Sequence, residues 1–442
     1  MLVDMVIRDC RVFYGGELVE ASIAINDGKI FKVGKEPQMP RANKSVKFPG
    51  KVALPGVIDV HVHLRDQELS YKETFETGTM AAAVGGVTTV LDMPNNRPVT
   101  NSAKRIIERM KLAEGRIYVN VGFYSALPKR VDEIDRIVEA GAVAFKVNLC
   151  RQIGEVDVDD DEQLLEAINR ISLHNLPISI HAENRSVVIS LEEQFKEMGR
   201  HDIMTRIESH PASAEVSAVA RMISLAKKAN AKLHFAHIST ADAIELIRNN
   251  RSYVTCEVTP HHLYLTREYA RHFRGIAIME PPLRTKRDLK ALWKGIRDGV
   301  VDVVASDHAP HALSEKEVED IWKIKPGIPG LETLLPLMLN AVMRNWITLA
   351  EMIKVLCINP AKIFRLKGKG LIKEGYDADI TVVDFKVIRR IDSSRFKSKA
   401  KYSPFNGFEV KGWPTATIIS GTIVAENDEV IEPAGRILGK PS

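Results

Sequence analysis

The sequence predicts an α/β protein: a closed parallel (β/α)8 barrel with a small β-sandwich domain built from both chain ends. Three observations predict it. Apolar stretches near 57–64, 87–93, 117–124, 142–149, 177–182, 232–238, 253–259 and 301–306 read as strands, and amphipathic helical stretches separate them. Short β-patterned segments stand at both termini. Polar residues gather where the strands end, the rim at which such barrels place their chemistry. The boundaries read from these changes are 1–53 for the first part of the β domain, 54–365 for the barrel and 366–442 for the second part.

In chain order, Ser22–Ile25 and Ile30–Val33 flank Asn26-Asp27-Gly28, a hairpin signal in which glycine supplies the positive φ. After Leu54-Pro55-Gly56 the pattern becomes strand and helix in alternation, with helices over Ser102–Glu114, Asp160–His174, Ala212–Ala229 and Lys286–Asp298. Asp157, Asp159 and Asp160 read as loop residues or a helix N-terminus. Beyond Arg365 the β pattern returns at Ala378–Asp384, Ala416–Ile419 and Thr422–Val424, so the two terminal segments are expected to pair.

The chemistry starts in the first barrel strand. Alternation puts Asp59, His61, His63 and Arg65 on one face and Ile58, Val60, Val62 and Leu64 on the other. Histidines at i and i+2 can aim ring nitrogens at one divalent ion. A lone His-x-His is more often a pair of satisfied core histidines. Here His181-Ala182-Glu183, His237-Ile238-Ser239 and Ser306-Asp307-His308-Ala309-Pro310-His311 follow at later strand ends, which together are the inventory of a metal site. Lys146 stands in the apolar strand Ala142–Asn148, where a lysine is costly to bury unless paired or modified. Carboxylation by carbon dioxide would make it a metal bridge; from chemistry alone, a lysine snorkelling at the strand end is an equal reading. His234 competes with His237 as a ligand, on the opposite face of its strand.

Composition bounds the function. Hydrophobic residues are 45% and charged residues 27% of 442, ordinary for a chain with a large core. The net charge of +5 includes no Lys/Arg block, so nucleic acid is not indicated as a partner. The 4 cysteines are far apart with no Cys-x-x-Cys pair, which fits a reducing compartment and a cytoplasmic location. Charges come too early for a secretory leader, and no apolar run is long enough to span a bilayer.

An ordered set of motifs carries a resemblance. Asp59-x-His61-x-His63 after Pro55-Gly56, Met93-Pro94-Asn95, His181-Ala182-Glu183, His237-Ile238-Ser239-Thr240, Thr259-Pro260-His261-His262, Pro281-Pro282-Leu283-Arg284, the Ser306–His311 stretch, Gly330-Leu331-Glu332-Thr333, Asn359-Pro360-Ala361, Asp377-Ala378-Asp379 and Ser403-Pro404-Phe405-x-Gly407 resemble the amidohydrolase superfamily. Within it the chain is similar to class I dihydroorotases, from about residue 55 to 407.

The resemblance implies a TIM barrel with a side β domain, in agreement with the pattern above. It implies two zinc ions per subunit: His61, His63 and Asp307 on one, His181 and His237 on the other, with N6-carboxylated Lys146 and a hydroxide bridging them. Some relatives bridge with an aspartate just after this strand, where this chain has Asn148-Leu149-Cys150-Arg151. Asp307 would also be the catalytic base, and Asp59 a carboxylate orienting a ligating histidine. Substrate contacts would come from His63, Arg65, Asn95, His311, Pro326 and Gly327. From the residues alone, Arg65 could equally be a rim salt-bridge residue and Asn95 a turn former. One departure stands out: Glu280 precedes Pro281-Pro282-Leu283-Arg284 where class I dihydroorotases commonly have asparagine, and a carboxylate facing the site would repel an acidic substrate.

The implied activity is the reversible cyclisation of N-carbamoyl-L-aspartate to (S)-dihydroorotate and water in pyrimidine biosynthesis. A hydantoinase- or allantoinase-type cyclic amidohydrolase is the first alternative, and a non-catalytic homologue in a pyrimidine-pathway complex the second; the complete ligand set argues against the latter. The partner is a small-molecule substrate, with no membrane or nucleic acid. A homodimer and association with aspartate transcarbamoylase, as in some family members, are the protein contacts to expect.

Overall fold

The computed structural model describes residues 2–439. Eight parallel strands, Val57–Val62, Val87–Asp92, Asn120–Ala126, Ala144–Asn148, Ile178–His181, Leu233–Phe235, Val254–Val258 and Val303–Val304, pair in sequence order. The ring closes where Val62 bridges His308 and the His63 amide donates to the His308 carbonyl at 2.8 Å. Nearly every residue of these strands is buried, because helices cover the outside and side chains fill the inside. The eighth strand is the shortest against expectation, but Asp302 and Ala305 extend its ladder by donating to Cys256 O and Val258 O at 3.0 Å each.

Helix starts follow local chemistry. Ser102 caps Ala103–Ala113 by accepting from the Arg105 amide, and Asp160 caps Asp161–Leu173 by accepting from the Glu162 and Gln163 amides. Thr285 and Asp288 form a reciprocal capping box at the start of Lys286–Arg297. Each of these helices turns an apolar stripe, such as Leu164, Ala167, Ile168 and Ile171, onto the barrel.

The chain ends form a second eight-stranded sheet. Its centre is the antiparallel pairing of Ile380–Arg390 with Arg41–Pro55, which joins the C-terminal part to the N-terminal part. The sheet curls on itself: the turn at Gly28 meets the turn at Ser420, and the Ala378 amide donates to Gly28 O at 2.9 Å. Ile23, Ile25 and Ile30 from one half and Ile418 and Ile423 from the other share one core, so the sheet acts as a sandwich. The predicted hairpin stands at Asp27 and Gly28, both with positive φ (51° and 69°).

Candidate active site and metal centre

The ends of the barrel strands bring His61, His63, Lys146, His181, His237 and Asp307 to one cavity of about 110 Å³, lined also by Arg65, Asn95, Asn148, Glu280, Ala309, Pro326 and Gly327. Nε2 of His61 and of His63 each lie 3.3 Å from the same Asp307 oxygen. His181 Nδ1 faces His237 Nε2 at 3.1 Å. Burial alone would raise the Asp307 carboxyl, but His61, His63 and His237 outweigh it and hold it well below the ordinary carboxylate range. Burial lowers the imidazoles of His63, to about 3, and of His237, so they stay neutral and keep lone pairs for a metal.

The residues fit a metal centre on their own terms. Ligand atoms of His61, His237 and Asp307 lie within 4.8 Å of one another. Among the described residues, Lys146 Nζ is buried with no hydrogen-bond partner, as is His63 Nδ1, and burial pushes the Lys146 amine down to about 8. An orphaned buried amine among neutral imidazoles is unfavourable as it stands and answers to modification or an ion. His234 stays out of the cluster, bonded to Thr255 Oγ1 at 2.9 Å and Glu257 at 3.2 Å inside the barrel.

Two expectations from alternation change. Arg65 does not continue the strand face: the strand ends at Val62, and Arg65, Asp66 and Gln67 all take positive φ, 56°, 57° and 50°. This left-handed turn swings the guanidinium toward Pro310 O, to which Nε donates at 3.3 Å, and brings it within 3.3 Å of His311 Nε2. Asp59 hydrogen-bonds no imidazole among the described residues. It sits deeper in the barrel and accepts from the backbone amides of His61 and Ser306, tying the first strand to the eighth. The carboxylate on the His61 ring is Glu257, bonded at Nδ1 and contributed by a strand 196 positions away. His237 and Asp307 also have positive φ, 35° and 47°, a conformation that costs a non-glycine residue roughly 1–2 kcal/mol and recurs at functional sites.

The substrate-side residues divide. Asn95 lines the cavity with its Oδ1 unpartnered, while the neighbouring Asn96 holds the turn by donating to Met93 O at 3.1 Å. His311 stands behind the wall: Lys72 Nζ donates to Nδ1 at 3.0 Å, and Nε2 donates to Pro326 O at 2.9 Å. Burial drops its imidazole to about 3, so one fixed tautomer links Lys72 to Pro326. Gly327 has φ 130°, and a Cβ there would meet Ala309 O at 2.5 Å, so glycine alone lets this loop reach the cavity.

Glu280 does line the cavity, yet its charge is met from behind. Arg206 bonds it directly, Arg151 lies at 3.7 Å and His210 at 3.4 Å. His210 Nδ1 lies 3.0 Å from Glu183, which in turn takes His181 Nε2 at 2.8 Å. Burial would raise the Glu280 carboxyl, but His210, Arg206 and Arg151 hold it well below its ordinary range. The sequence reading missed Glu257, Lys72, Arg206 and His210. Glu257 had a signal, a carboxylate inside an apolar strand, the same argument that singled out Lys146. The other three had none, since their meaning is a contact across the fold.

Comparison with known proteins agrees with this geometry. The profile of the amidohydrolase family matches residues 52–424. A dihydroorotase of Methanosarcina acetivorans is 35% identical, covering 98% of this chain and 94% of its own length. An L-hydantoinase of Paenarthrobacter aurescens is 34% identical, covering 98% and 96%. The solved L-hydantoinase (dihydropyrimidinase) from Arthrobacter aurescens superposes with a TM-score of 0.95 at 33% identity, covering 99% of this chain and all of that one. No helix among the described residues is long and apolar enough to cross a membrane. Barrel, rim cluster and whole-length similarity coincide, and the chain belongs to the amidohydrolase family as a hydrolase of cyclic amides.

Proposed function

We propose that this chain is a dihydroorotase, closing N-carbamoyl-L-aspartate to (S)-dihydroorotate with release of water and catalysing the reverse opening, in pyrimidine biosynthesis. Arg65 is the observation that carries the reading. Its guanidinium is buried, lines the cavity, and makes no ion pair with any carboxylate among the described residues. Asp307 and Asp92 act on it only from beyond contact, and a buried guanidinium with no carboxylate bonded to it suits a ligand that brings one. Asn95 lines the same cavity, and its side-chain N–H groups are donors of the kind a carboxylate accepts from.

The residues then take roles. His61, His63 and Asp307 would hold one zinc and His181 and His237 the other, with carboxylated Lys146 between them; the ions would polarise the ring carbonyl and make water acidic enough to ionise near neutral pH. Asp307, charged at neutral pH, accepts the proton of the attacking water and delivers it to the leaving ring nitrogen; in cyclisation it runs the same transfers backward. Glu257 fixes the His61 ring and Glu183 the His181 ring, so both imidazoles are oriented before any ligand arrives. Arg65 and Asn95 hold the substrate carboxylate, and the Pro326–Gly327 backbone borders the ring.

A hydantoinase-type activity is the second reading, favoured by the 34% identity to an L-hydantoinase. Zinc-loaded protein in bicarbonate buffer, assayed on dihydroorotate, N-carbamoyl-L-aspartate, dihydrouracil, hydantoin and allantoin, separates the two. Dihydroorotase predicts robust turnover of the first pair, lost in Arg65→Ala, with near two metals per chain. Faster turnover of the uncharged rings overturns it.

A further inference from the structure

Lys316 is a charged side chain with 1% exposure that the functional reading leaves unused. It ends the short helix Leu313–Lys316 and makes no ion pair among the described residues. Its ammonium donates to three backbone carbonyls: Ile278 O at 3.0 Å, Lys325 O at 2.7 Å and Gly327 O at 2.9 Å. All three of its protons are used, which is what makes burial of an ammonium tolerable. Its backbone is closely approached on the other side, for a Cβ on Gly275 would stand 1.8 Å from Lys316 O.

Those carbonyls belong to two different walls of the cavity. Ile278 lies two residues before Glu280, and Lys325 and Gly327 bracket Pro326; Glu280, Pro326 and Gly327 all line the site. The Gly327 amide also donates to Ile278 O at 3.0 Å, so the walls touch at one point and Lys316 fastens both around it. On its far side Lys316 borders a cavity of about 610 Å³, and Ile278, Met279, Ile324 and Ile328 share an apolar core beside the same two walls, so Lys316 is their polar fastening. Burial lowers its amine to about 7, with Arg206 and Lys72 adding to the drop and Glu280 and Glu315 opposing it, so all three bonds are made only by the protonated form.

We propose that Lys316 is a positioning residue for substrate: it sets the separation between the Glu280 wall and the Pro326–Gly327 wall, and with it the fit of a carboxylate-bearing cyclic amide. The substrate class rests on the function proposed above; the clamp does not. Lys316 touches neither substrate nor the metal-ligand set and acts through the loop.

The test uses full-length, zinc-loaded Lys316→Met and Lys316→Gln, with steady-state kinetics on dihydroorotate, metal content, and hydrogen exchange of the free protein. Lys316→Met is expected to raise KM about tenfold or more with kcat held within about threefold, the signature of lost binding rather than lost chemistry. Metal content stays at the wild-type value, and the amides of 278–280 and those of Lys325 and Gly327 exchange faster together. Lys316→Gln, which keeps two donors, falls between and carries the test if the methionine variant does not fold. An unchanged KM, a loss confined to kcat, or loosening of one segment alone overturns the proposal. If wild-type protein leaves dihydroorotate unchanged, the functional reading fails, and the exchange experiment still decides the clamp.

Discussion

Two polar clusters sit side by side at the rim of the barrel and follow opposite plans. In one, His61, His63, Lys146, His181, His237 and Asp307 face a common cavity with groups left over: Lys146 Nζ and His63 Nδ1 have no partner among the described residues. In the other, Glu183, Glu192, His210, Arg206 and Glu280 are locked in mutual contacts, with Arg206 on Glu192 at 3.0 Å and His210 Nδ1 on Glu183 at 3.0 Å. Both are buried and both contain histidines with carboxylates, so composition does not separate them. Satisfaction does. The second cluster meets each carboxylate with a cation and, among the described residues, leaves only Arg206 Nε without a partner, which marks it as scaffold, whereas the first leaves an amine and a ring nitrogen orphaned around something it does not contain.

The sharpest way to break this contrast is Asp307→Asn. Loss of a positioned base is expected to lower kcat by about 10²–10⁴-fold while fold and most of the metal remain; substantial residual turnover, measured with metal content, would withdraw the base from Asp307. In the satisfied cluster the same kind of change should strike stability. His210→Gln leaves Glu183 and Glu280 buried without their imidazolium, and a loss of about 3–5 kcal/mol in denaturant unfolding is expected.

That cluster also has a pH signature. Burial would lower the His210 imidazole, but Glu183 and Glu280 raise it to about 10 from 6.5, so its contribution is complete below pH 6.5 and drains away toward pH 10. Glu192 runs the other way: burial would raise it, but His210, Arg206 and Arg151 lower it to about 2 from 4.5, so its contribution holds above pH 4.5 and is lost toward pH 2. The cluster therefore stabilises most between the two unfolded values, and unfolding across pH should show a flatter optimum in His210→Gln than in wild type.

Arg65→Ala comes next in size. Removing the carboxylate's counter-charge is expected to lower kcat/KM on dihydroorotate about 10²-fold, by analogy with lost charge-assisted bonds of about 1.5–3 kcal/mol, and to spare dihydrouracil. Equal losses on both substrates would make Arg65 a scaffold residue like Arg206. The smallest effect is expected at Glu332, whose carboxyl burial raises to about 8 although the Lys397 and Ser398 amides bond it. The folded state keeps a proton there that the unfolded chain has released, so stability declines as pH rises from 4.5 to 8. Glu332→Gln should flatten that decline in thermal melts.

Much of this arrangement was legible before any contact was known, and the reason is local periodicity. Period-two alternation placed His61 and His63 together, although it did not separate His234 from His237, since the sixth strand ends at Phe235 and His234 points into the barrel below the site; helix and strand periods gave the barrel; Asp160 read correctly as a helix start because a cap is a bond to amides two and three residues on. Lys146 drew attention because a charge inside an apolar strand is expensive wherever that strand lies.

Tertiary structure alone decided the rest. Arg65 left the strand face because three left-handed residues follow the strand, and neither their types nor their spacing announce that turn. Glu280 read as a repulsive carboxylate until Arg206, 74 positions away, met its charge. Glu257 reaches His61 across 196 positions, and Lys316 joins carbonyls on two separate segments. Local preferences are written in neighbouring residues and survive in the sequence. Whether a buried charge is compensated depends on which distant side chains the barrel folds against it.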